Sequence, residues 1–451
     1  MQRKCLIIGG GAAGAAVVAQ LSRHAPRDGL AIDWIVGDGA PGRGIAYATD
    51  DANHLLNVRA AAMSSIGGAA PGDFARYLQD RGFDDIAAAF VPRALYGDYV
   101  QHALAQSAHP PTLHKAQATA LHALPDGRFR ALLSDGSTLD ADQVVLAIGA
   151  LPARALPGVS ADALASGAYA IDAWHALAPA QAPAQVLVVG TALSAIDVLL
   201  TAARRWPQAQ LTAVSRHGRL PCLHAPGAIA PYDGIDALLA RMTSRANVAH
   251  WLRCLREAAQ EPGAEWRAII DGLRAATPRL WQSLDGVQRR RFLRHLKPLW
   301  DIVRHRVPRE TAAKIDARRD SGHLRVCAAR VAEVDVGTTR TLRVHLRDAR
   351  GTQALDTDFA IQATGLDLDV RATSHALVRQ LVDDGLVQPD ALGLGLAATP
   401  EGRLLRGNGE AWPNLYATGI LLSGALWETS AMREIGAQAA ALAERLSSTN
   451  P

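Results

Sequence analysis

The sequence predicts a fold of the α/β class with two βαβ units. Residues 5–8 form a short apolar run that leads into the glycine-rich turn 9–14 and then into helix-prone residues. Residues 186–189 lead into a similar turn at 190–195 and a second helical segment. Between about 235 and 320 the pattern is helical and rich in tryptophan and arginine. These patterns indicate two Rossmann-like dinucleotide-binding domains with a helical insertion.

The composition is typical of a folded, water-soluble chain. Of the 451 residues, 49% are apolar and 20% are charged, which excludes an intrinsically disordered protein. The net charge is +4 and most basic residues are scattered, so we expect no nucleic-acid partner. No apolar run approaches the ~18 residues that cross a bilayer, and strand-like residues follow the first four directly. We therefore expect a cytoplasmic protein with no membrane partner.

The cysteines argue against a metal centre and against a redox-active disulfide. The four cysteines lie far apart in the sequence, and none of them belongs to a CxxC pair. Zinc sites and redox-active disulfides usually draw on such closely spaced pairs. We therefore expect no bound metal and reduced thiols, which agrees with a cytoplasmic location.

The first glycine-rich turn has the spacing of a dinucleotide-binding site. Gly9 is expected to make the tight turn, Gly11 lets the backbone approach a pyrophosphate, and Gly14 lets the helix pack on the strand. A second strand at 31–36 precedes Asp38, near the place of an acid that binds the adenosine ribose. The residues expected around the phosphates are Gly9, Gly11, Ala12, Ala13 and Gly14.

The second turn departs from this pattern, because Ala192 and Ala195 stand where glycines are usual. It either binds a second dinucleotide or is a structural βαβ unit without a ligand. The strand at 211–215 is followed by Arg216 and Arg219 rather than by an acid, which suits the 2′-phosphate of NADPH. The residues expected at this nucleotide are Gly190, Thr191, Leu193, Ser194, Ser215 and Arg216.

Three further segments are apolar strands that end in glycine. Residues 141–149 and 357–365 each contain an acidic residue, an apolar strand and a terminal glycine. Each follows a hairpin-like stretch, as expected where the chain leaves a nucleotide-binding domain. Residues 414–419 also end in glycine. The residues that we expect near bound nucleotides are Gly149, Thr364, Gly365 and Gly419.

These patterns divide the chain into three parts. Residues 1–180 and 366–451 are expected to form the two parts of one dinucleotide domain, and residues 181–365 the other, with its insertion at about 235–320. A last helix is expected from about Ser430 to Leu446, since its apolar residues recur at three- and four-residue spacing. Either Thr429 or Ser430 is expected to cap that helix.

Several short segments resemble the bacterial FAD-NAD(P)-binding protein family, whose members are flavoproteins with two dinucleotide domains. That family is distantly similar to the lysine and ornithine N-hydroxylases. The resemblance implies FAD across the N- and C-terminal segments and NAD(P)H in the middle unit. Its matching segments, in chain order, are PGRGIAY at 41–47, LLNV at 55–58, VPR at 91–93, YGDY at 96–99, SRHG at 215–218 followed by LP at 220–221, RFLRH at 291–295 with Trp300 and RHR at 304–306, and GALWET at 424–429.

The resemblance also suggests residues around the flavin. Arg43, Gly44 and Asn57 belong to the loop over the flavin, although Arg43 and Asn57 equally suit turn positions. Gly419 ends a strand without the usual Gly-Asp pair, so backbone N–H groups must hold the flavin there. The helix that begins near Thr429 is placed to stabilise negative charge on a reduced flavin.

Charged residues outside the glycine-rich turns leave alternatives open. Glu428 is either an acid/base beside the flavin or a favourable charge near a helix N-terminus. The basic group His295, Arg304 and His305 binds an anionic substrate or the NADPH phosphate, or else forms a solvated helix face.

The resemblance implies an FAD-dependent, NAD(P)H-linked oxidoreductase, and we expect a monooxygenase that uses O₂ and NADPH on a small-molecule substrate. Neither FxGxxxHxxxW of Baeyer–Villiger enzymes nor WxWxIP of flavin halogenases is present. Two alternatives stay open, namely a flavin dehydrogenase or oxidase that inserts no oxygen, and a non-catalytic FAD-binding redox sensor.

Overall fold

The computed structural model describes residues 2–24, 29–63, 66, 72–83, 86–107, 109–173, 182–337 and 341–448. These residues form two large sheets of mainly parallel strands, two three-stranded antiparallel sheets and a helical region. No helix within the described ranges combines the length and the apolarity needed to cross a lipid bilayer.

The strands, numbered along the chain, are β1 (Arg3–Ile8), β2 (Leu30–Ile35), β3 (Thr112–His114), β4 (Ala118–Ala123), β5 (Phe129–Leu133), β6 (Thr138–Ala141), β7 (Gln143–Leu146), β8 (Tyr169–Ala170), β9 (Gln185–Val189), β10 (Gln210–Ser215), β11 (Leu324–Ala328), β12 (Arg330–Val336), β13 (Leu342–Asp348), β14 (Gly351–Thr357), β15 (Phe359–Gln362), β16 (Arg403–Leu405) and β17 (Ala411–Ala417).

The helices are α1 (Ala12–His24), α2 (Gly44–Tyr47), α3 (Asp73–Gln79), α4 (Arg93–Ala105), α5 (Ala161–Ala165), α6 (Leu193–Arg205), α7 (Ile235–Thr243), α8 (Val248–Ala258), α9 (Trp266–Gly272), α10 (Thr277–Ser283), α11 (Gly286–Arg291), α12 (Lys297–Arg304), α13 (Arg309–Asp320), α14 (Ala376–Asp383), α15 (Ser423–Leu426) and α16 (Met432–Ser448). A π-helical segment, Phe292–Leu296, joins α11 to α12.

The first large sheet draws on both ends of the chain. Its strand order is β16-β17-β7-β1-β2-β3, and β1 lies between β2 and β7 with both pairings parallel. β17 then pairs with β7, also in parallel. Residues 5–8 are buried, as a strand covered on both faces requires, which explains their continuous apolar run. Residues 403–417 therefore complete a sheet that residues 3–8 begin.

The second large sheet is parallel throughout, with strand order β11-β10-β9-β15-β8. Its central strand β9 runs into the second glycine-rich turn and then into α6. α6 packs on one face, where Val198, Leu199 and Ala202 are buried. The β12–β14 meander covers the other face through Leu342 and Val344.

The repeated acid-strand-glycine pattern has the same structural reason in both sheets. A carboxylate oxygen of Asp142 accepts a hydrogen bond from the N–H of Lys4 at 2.7 Å, at the start of β1. Asp358 accepts from the N–H of Gln185 at 2.8 Å, at the start of β9. In each sheet, the acid that precedes one strand satisfies a backbone donor at the start of its neighbour.

The last helix packs against the first. Ala439, Leu442 and Leu446 of α16 share an apolar core with the buried face of α1. The helix begins at Met432, two residues later than the sequence indicates. Thr429 does not cap it as expected, because its buried hydroxyl lies 3.2 Å from the hydroxyl of Ser423.

The helical insertion is confirmed and has a hydrophobic core of its own. Residues from α7 to α12, among them Trp251 and Trp281, form this core. Trp281 also ties the insertion to the C-terminal segment, because its indole N–H donates to the carbonyl oxygen of Gly424 at 2.8 Å. Two parallel-stranded βαβ units with a helical insertion are the fold that the sequence predicts.

Two glycines of the first turn are required by the backbone itself. Gly9 has φ +128°, a conformation that L side chains rarely adopt. At Gly14 a Cβ atom would stand 2.1 Å from the carbonyl oxygen of Gly9, so only glycine allows α1 to approach β1 this closely. At Gly11 a Cβ would meet nothing nearer than 3.7 Å, where the Cα of Gly44 lies.

We predict that Gly14→Ala lowers the free energy of unfolding by about 1–3 kcal/mol, since α1 must shift away from β1 to admit the methyl group. Gly11→Ala is the matched control, and its cost should stay below about 1 kcal/mol because space is available. Chemical denaturation of both variants measures the difference. Equal losses would contradict the close-approach explanation.

Candidate functional site

Two cavities lie between the first and second βαβ units. The first, of 600 Å³, is lined by Gly10, Gly11 and Gly44 on one side and by Val198 and Thr201 of α6 on the other. The second has a volume of 620 Å³. It is lined by the loop after α2, the start of α6, the end of the insertion and the segment before α16. Asp197 lines both. We call them the turn cavity and the central cavity.

The turn cavity has the features of a phosphate-binding site. The N-terminus of α1 faces it beyond Gly11, and the first N–H groups of a helix have no partner within the helix. Gly11 and Gly44 line this cavity with backbone atoms that contact each other, since a Cβ at Gly44 would stand 3.1 Å from the Cα of Gly11. Asp38 is exposed beside the cavity-lining Gly39. Arg43 is not a free cation here, because its guanidinium pairs with Asp98 and Gln101.

The second glycine-rich turn keeps the same geometry despite its alanines. Gly190 has φ +136°, and a Cβ there would stand 2.2 Å from the carbonyl oxygen of Ala363. The hydroxyl of Thr191 donates to that of Ser215 at 2.9 Å, which fixes the turn against β10. Arg216 follows β10 and is exposed, and within the described part of the chain it has no ion-pair or hydrogen-bond partner.

Glu428 lies in the central cavity and is held from two sides. One carboxylate oxygen accepts from the indole N–H of Trp300 at 2.8 Å, and the other accepts from Nε of Arg304 at 3.0 Å. The side chains of Glu428 and Arg304, which form the ion pair, are each 12% exposed. His305 lines the same cavity, and desolvation by burial lowers its pKa. The predicted residues Glu428, Arg304 and His305 are thus brought together.

Two further ion pairs lie at the central cavity. Arg274 donates from Nη2 to Glu434 at 2.7 Å, which joins the insertion to α16. Arg306 is buried and pairs with Asp271. Arg59 and Arg433 line the cavity as well, so its six arginines outnumber its four carboxylates and its lining has a net positive charge.

Asn57 contributes its backbone to this cavity. His224 donates from Nε2 to the carbonyl oxygen of Asn57 at 3.0 Å. Burial lowers the pKa of His224 to about 4, and the positive charge of Arg306 acts in the same direction. His224 is therefore a neutral donor at pH 7.

A buried polar network joins the two units between the cavities. Nη2 of Arg93 lies 2.5 Å from a carboxylate oxygen of Asp197, and burial raises the pKa of Asp197 while Arg93 opposes that rise. His54 is hydrogen bonded to the hydroxyl of Thr201 at 2.8 Å. Burial opposes ionisation of Asp51, but hydrogen bonds from the Asn53 backbone and from Thr201 lower its pKa to about 2.

Some predicted residues lie elsewhere or are already bonded. His295 is exposed on the π-helical segment and does not line the central cavity. The N–H of Gly419 donates to the side-chain oxygen of Gln438 at 2.9 Å, so this backbone donor is occupied. Gly419 nevertheless lies beside α1, because its missing Cβ would be 3.5 Å from that of Ala13. Thr364 and Gly365 are exposed after β15, and Gly149 follows β7.

Sequence reasoning missed the residues that join separate segments. Arg93 and Asp197 are 104 positions apart, and Arg274 and Glu434 are 160 apart. His224 carries no local pattern that marks it. The periodicity of one segment carries no information about partners in a distant segment. These contacts therefore become visible only in the folded structure.

Comparison with known proteins agrees with this geometry. Residues 6–151 match the FAD-NAD(P)-binding family model. No curated protein sequence gives a significant match to the chain. The family resemblance inferred from the sequence is confirmed over this N-terminal segment.

Solved structures of similar fold cover the whole chain at low identity. Ornithine N-hydroxylase from Kutzneria sp. 744 is 16% identical with a TM-score of 0.65, and covers 99% of this chain and 100% of its own. L-lysine 6-monooxygenase from Pseudomonas syringae is 17% identical with a TM-score of 0.66, covering 99% of each chain. Ornithine hydroxylase from Pseudomonas aeruginosa is 15% identical with a TM-score of 0.66, also covering 99% of each. The predicted distant similarity to these hydroxylases is confirmed as a likeness of fold.

We predict that His224→Gln makes stability less sensitive to acid. In the unfolded chain His224 binds a proton near its ordinary pKa of 6.5, whereas in the folded chain it stays neutral until about pH 4. The unfolded state therefore holds more protons between these values, and stability is lost as pH falls through that window.

The free energy of unfolding, measured from pH 7 to pH 5, should fall less steeply for His224→Gln than for the wild type. His217→Gln, at an exposed position, is the control and should follow the wild type. Parallel curves for His224→Gln and the wild type would contradict this role of burial.

Proposed function

We propose that this protein is an FAD-dependent, NADPH-linked monooxygenase that acts on a small molecule with O₂. The observation that carries the proposal is that two adjoining cavities are lined by the first glycine-rich turn and by the start of α6, the helix that follows the second turn. One of these cavities also holds the cluster of Glu428, Arg304 and His305. The match of residues 6–151 and the printed activities of the structurally similar hydroxylases support it.

The residues of the first unit fit FAD. The pyrophosphate would lie against Gly11 and the first turn of α1, residues Ala12 and Ala13, with Gly44 opposite. The exposed carboxylate of Asp38 suits the adenosine ribose. When bound, FAD would accept a hydride from NADPH and, once reduced, react with O₂.

The residues of the middle unit fit NADPH. Leu193 and Ser194 open the 13-residue helix α6, and the N-cap residue Ala192 offers no side chain to its N–H groups. Those donors are left for a pyrophosphate. The unpartnered guanidinium of Arg216 suits the 2′-phosphate.

The cluster around Glu428 would orient the substrate. Trp300 and Arg304 hold both carboxylate oxygens, so Glu428 stays in one rotamer as an acceptor. The neutral ring of His305 can take or return a proton beside it. These residues would fix the reacting group and exclude water.

The domain organisation and the cellular location follow from the same reasoning. We propose that residues 181–365 form the NADPH domain, and that residues 1–180 and 366–451 form the FAD domain except for β8 (Tyr169–Ala170), which lies in the sheet of the second unit. Each of the four cysteines is free, which supports a reducing cytoplasmic location.

Rapid mixing with NADPH without oxygen tests the function. Bleaching of the flavin absorbance at about 450 nm is expected. With O₂ and a metabolite panel, a monooxygenase forms one oxygenated product per NADPH and O₂ consumed. Hydrogen peroxide without oxygenated product would indicate an oxidase instead, and failure to bleach would favour a non-catalytic sensor.

We predict that Gly11→Val yields colourless protein. The branched side chain would occupy part of the turn cavity beside Gly11 and Gly44, where the pyrophosphate is proposed to lie. Absorbance of the purified variant measures its FAD content, and far-UV circular dichroism checks its fold. Normal flavin content in a folded variant would overturn the assignment of this turn.

We predict that Arg216→Ala raises the NADPH concentration needed for flavin reduction about ten- to a hundredfold, since a charge-assisted pair with the 2′-phosphate is worth roughly 1.5–3 kcal/mol. NADH lacks that phosphate, so its dependence should hardly change. Arg219→Ala, also exposed, tests whether the second arginine after β10 shares in this pairing, and Arg245→Ala, exposed in the insertion, is the control. Equal weakening of both nucleotides by Arg216→Ala would mean that Arg216 is structural.

A further inference from the structure

A third cavity lies within the helical insertion, apart from the two already described. It has a volume of 350 Å³ and opens between α8, α10 and α12. Arg256 is the one charged residue among those described along its walls. We call it the insertion cleft. Its largest side chains are Trp251, Trp281, Phe292, Trp300 and Trp427.

The apolar face of α12 is left half-exposed to this cleft. Leu299, Trp300 and Val303 all line it, yet no residue of α12 is fully buried. Leaving apolar area in water forgoes about 25 cal/mol per Å². A helix packed for stability alone would close this gap.

A thin partition separates the insertion cleft from the central cavity. Three chain segments build it, and in each of them adjacent residues line opposite cavities. Apolar residues line the cleft and charged residues line the central cavity. The pairs are Ile270 and Asp271, Leu273 and Arg274, Val303 and Arg304, and Trp427 and Glu428.

The backbone is unusual at two places on the cleft wall. Trp427 has φ +66° and ψ −79°, the only positive φ among the described non-glycine residues. Its buried indole N–H has no hydrogen-bond partner within the described part of the chain. Phe292 begins the π-helical segment. Strained backbone and π-helical turns both concentrate at ligand sites.

We propose that the insertion cleft binds an uncharged, hydrocarbon-rich small molecule. Its apolar walls offer almost nothing to pair with a buried charge, which would be costly to desolvate. Its volume is at the lower end of the range for small-molecule pockets, about 300–1,000 Å³. The paired charges of the partition keep the ligand on the apolar side. This site does not depend on FAD or NADPH.

The uncharged fluorophore N-phenyl-1-naphthylamine tests the site, since its emission rises in apolar surroundings. Titration of the full chain, without NADPH, should give saturable binding of one probe per chain. Leu255→Glu places a carboxylate in the wall from α8 and should weaken binding at least tenfold. Arg253→Glu places the same group on α8 outside the cleft and should leave binding unchanged.

Circular dichroism and thermal unfolding check that both variants fold. Should Leu255→Glu not fold, Ala259→Trp fills the cleft from an exposed position and should also abolish binding. Absence of saturable binding, or equal binding to wild type and a folded cleft variant, overturns the proposal. Probe binding that decreases as the protein concentration and self-association increase would also overturn the proposal, because a second copy of the chain would then cover the cleft.

The outcome of the probe-binding experiment can be distinguished from the outcome for the proposed monooxygenase function. Colourless Gly11→Val protein should bind the probe like the wild type, because the cleft and the turn cavity share no lining residue. A wild type without flavin that still binds the probe would refute the monooxygenase and leave the apolar site standing.

Discussion

The ion pair between Arg93 and Asp197 is the contact on which the arrangement of the two units depends. Arg93 opens α4 in the first unit, and Asp197 lies in α6 of the second. Both side chains are largely buried, at 16% and 13% exposed. Taking two charges out of water is costly, so such a pair contributes more to a fixed orientation than to net stability. Since Asp197 lines both cavities, their shapes follow from this contact.

The neighbouring network makes the contact directional. Asp51 and His54 of the first unit converge on Thr201, and Arg204 donates to Asp51 at 2.9 Å. These side chains reach across to the other unit, while Nδ1 of His54 is bonded to the hydroxyl of Thr49 within its own unit. Sliding or rotation of one unit would leave several of them unsatisfied at once, at about 1–3 kcal/mol each. The network therefore specifies one relative position of the two turns.

The parts of the fold that could be predicted from the sequence are those with local causes. Gly9 and Gly14 are required by a positive φ and by a close approach within the turn, so their spacing indicates the βαβ unit directly. The buried strands read as apolar runs because both faces of each sheet are covered. The sequence places the start of α16 two residues too early, because Thr429 is a residue type that suits an N-cap. In the fold its buried hydroxyl is instead hydrogen bonded to the hydroxyl of Ser423.

The candidate site could be predicted only in part, for a related reason. Glu428, Arg304 and His305 were recognised as candidates, but nothing in the sequence links Glu428 to Trp300 or His224 to Asn57. Gly419 shows the converse, since its place at a strand end suggests a free N–H, whereas in the fold this N–H donates to Gln438 of α16. Whether a polar group is free depends on partners from distant segments, which a sequence does not order in space.

The division of the first sheet between the two ends of the chain has a consequence for biosynthesis. β1, β2 and β7 emerge from the ribosome early, but β17 and α16 follow more than 260 residues after β7. Until then one edge of β7 and the apolar face of α1 stay uncovered, and unpaired strand edges promote association between chains. The middle unit, contiguous from β8 to β15, can form in the meantime. During synthesis the middle unit can thus be complete while the first unit still lacks β17 and α16. Protection of the open edge of β7 by a chaperone would matter most during this interval.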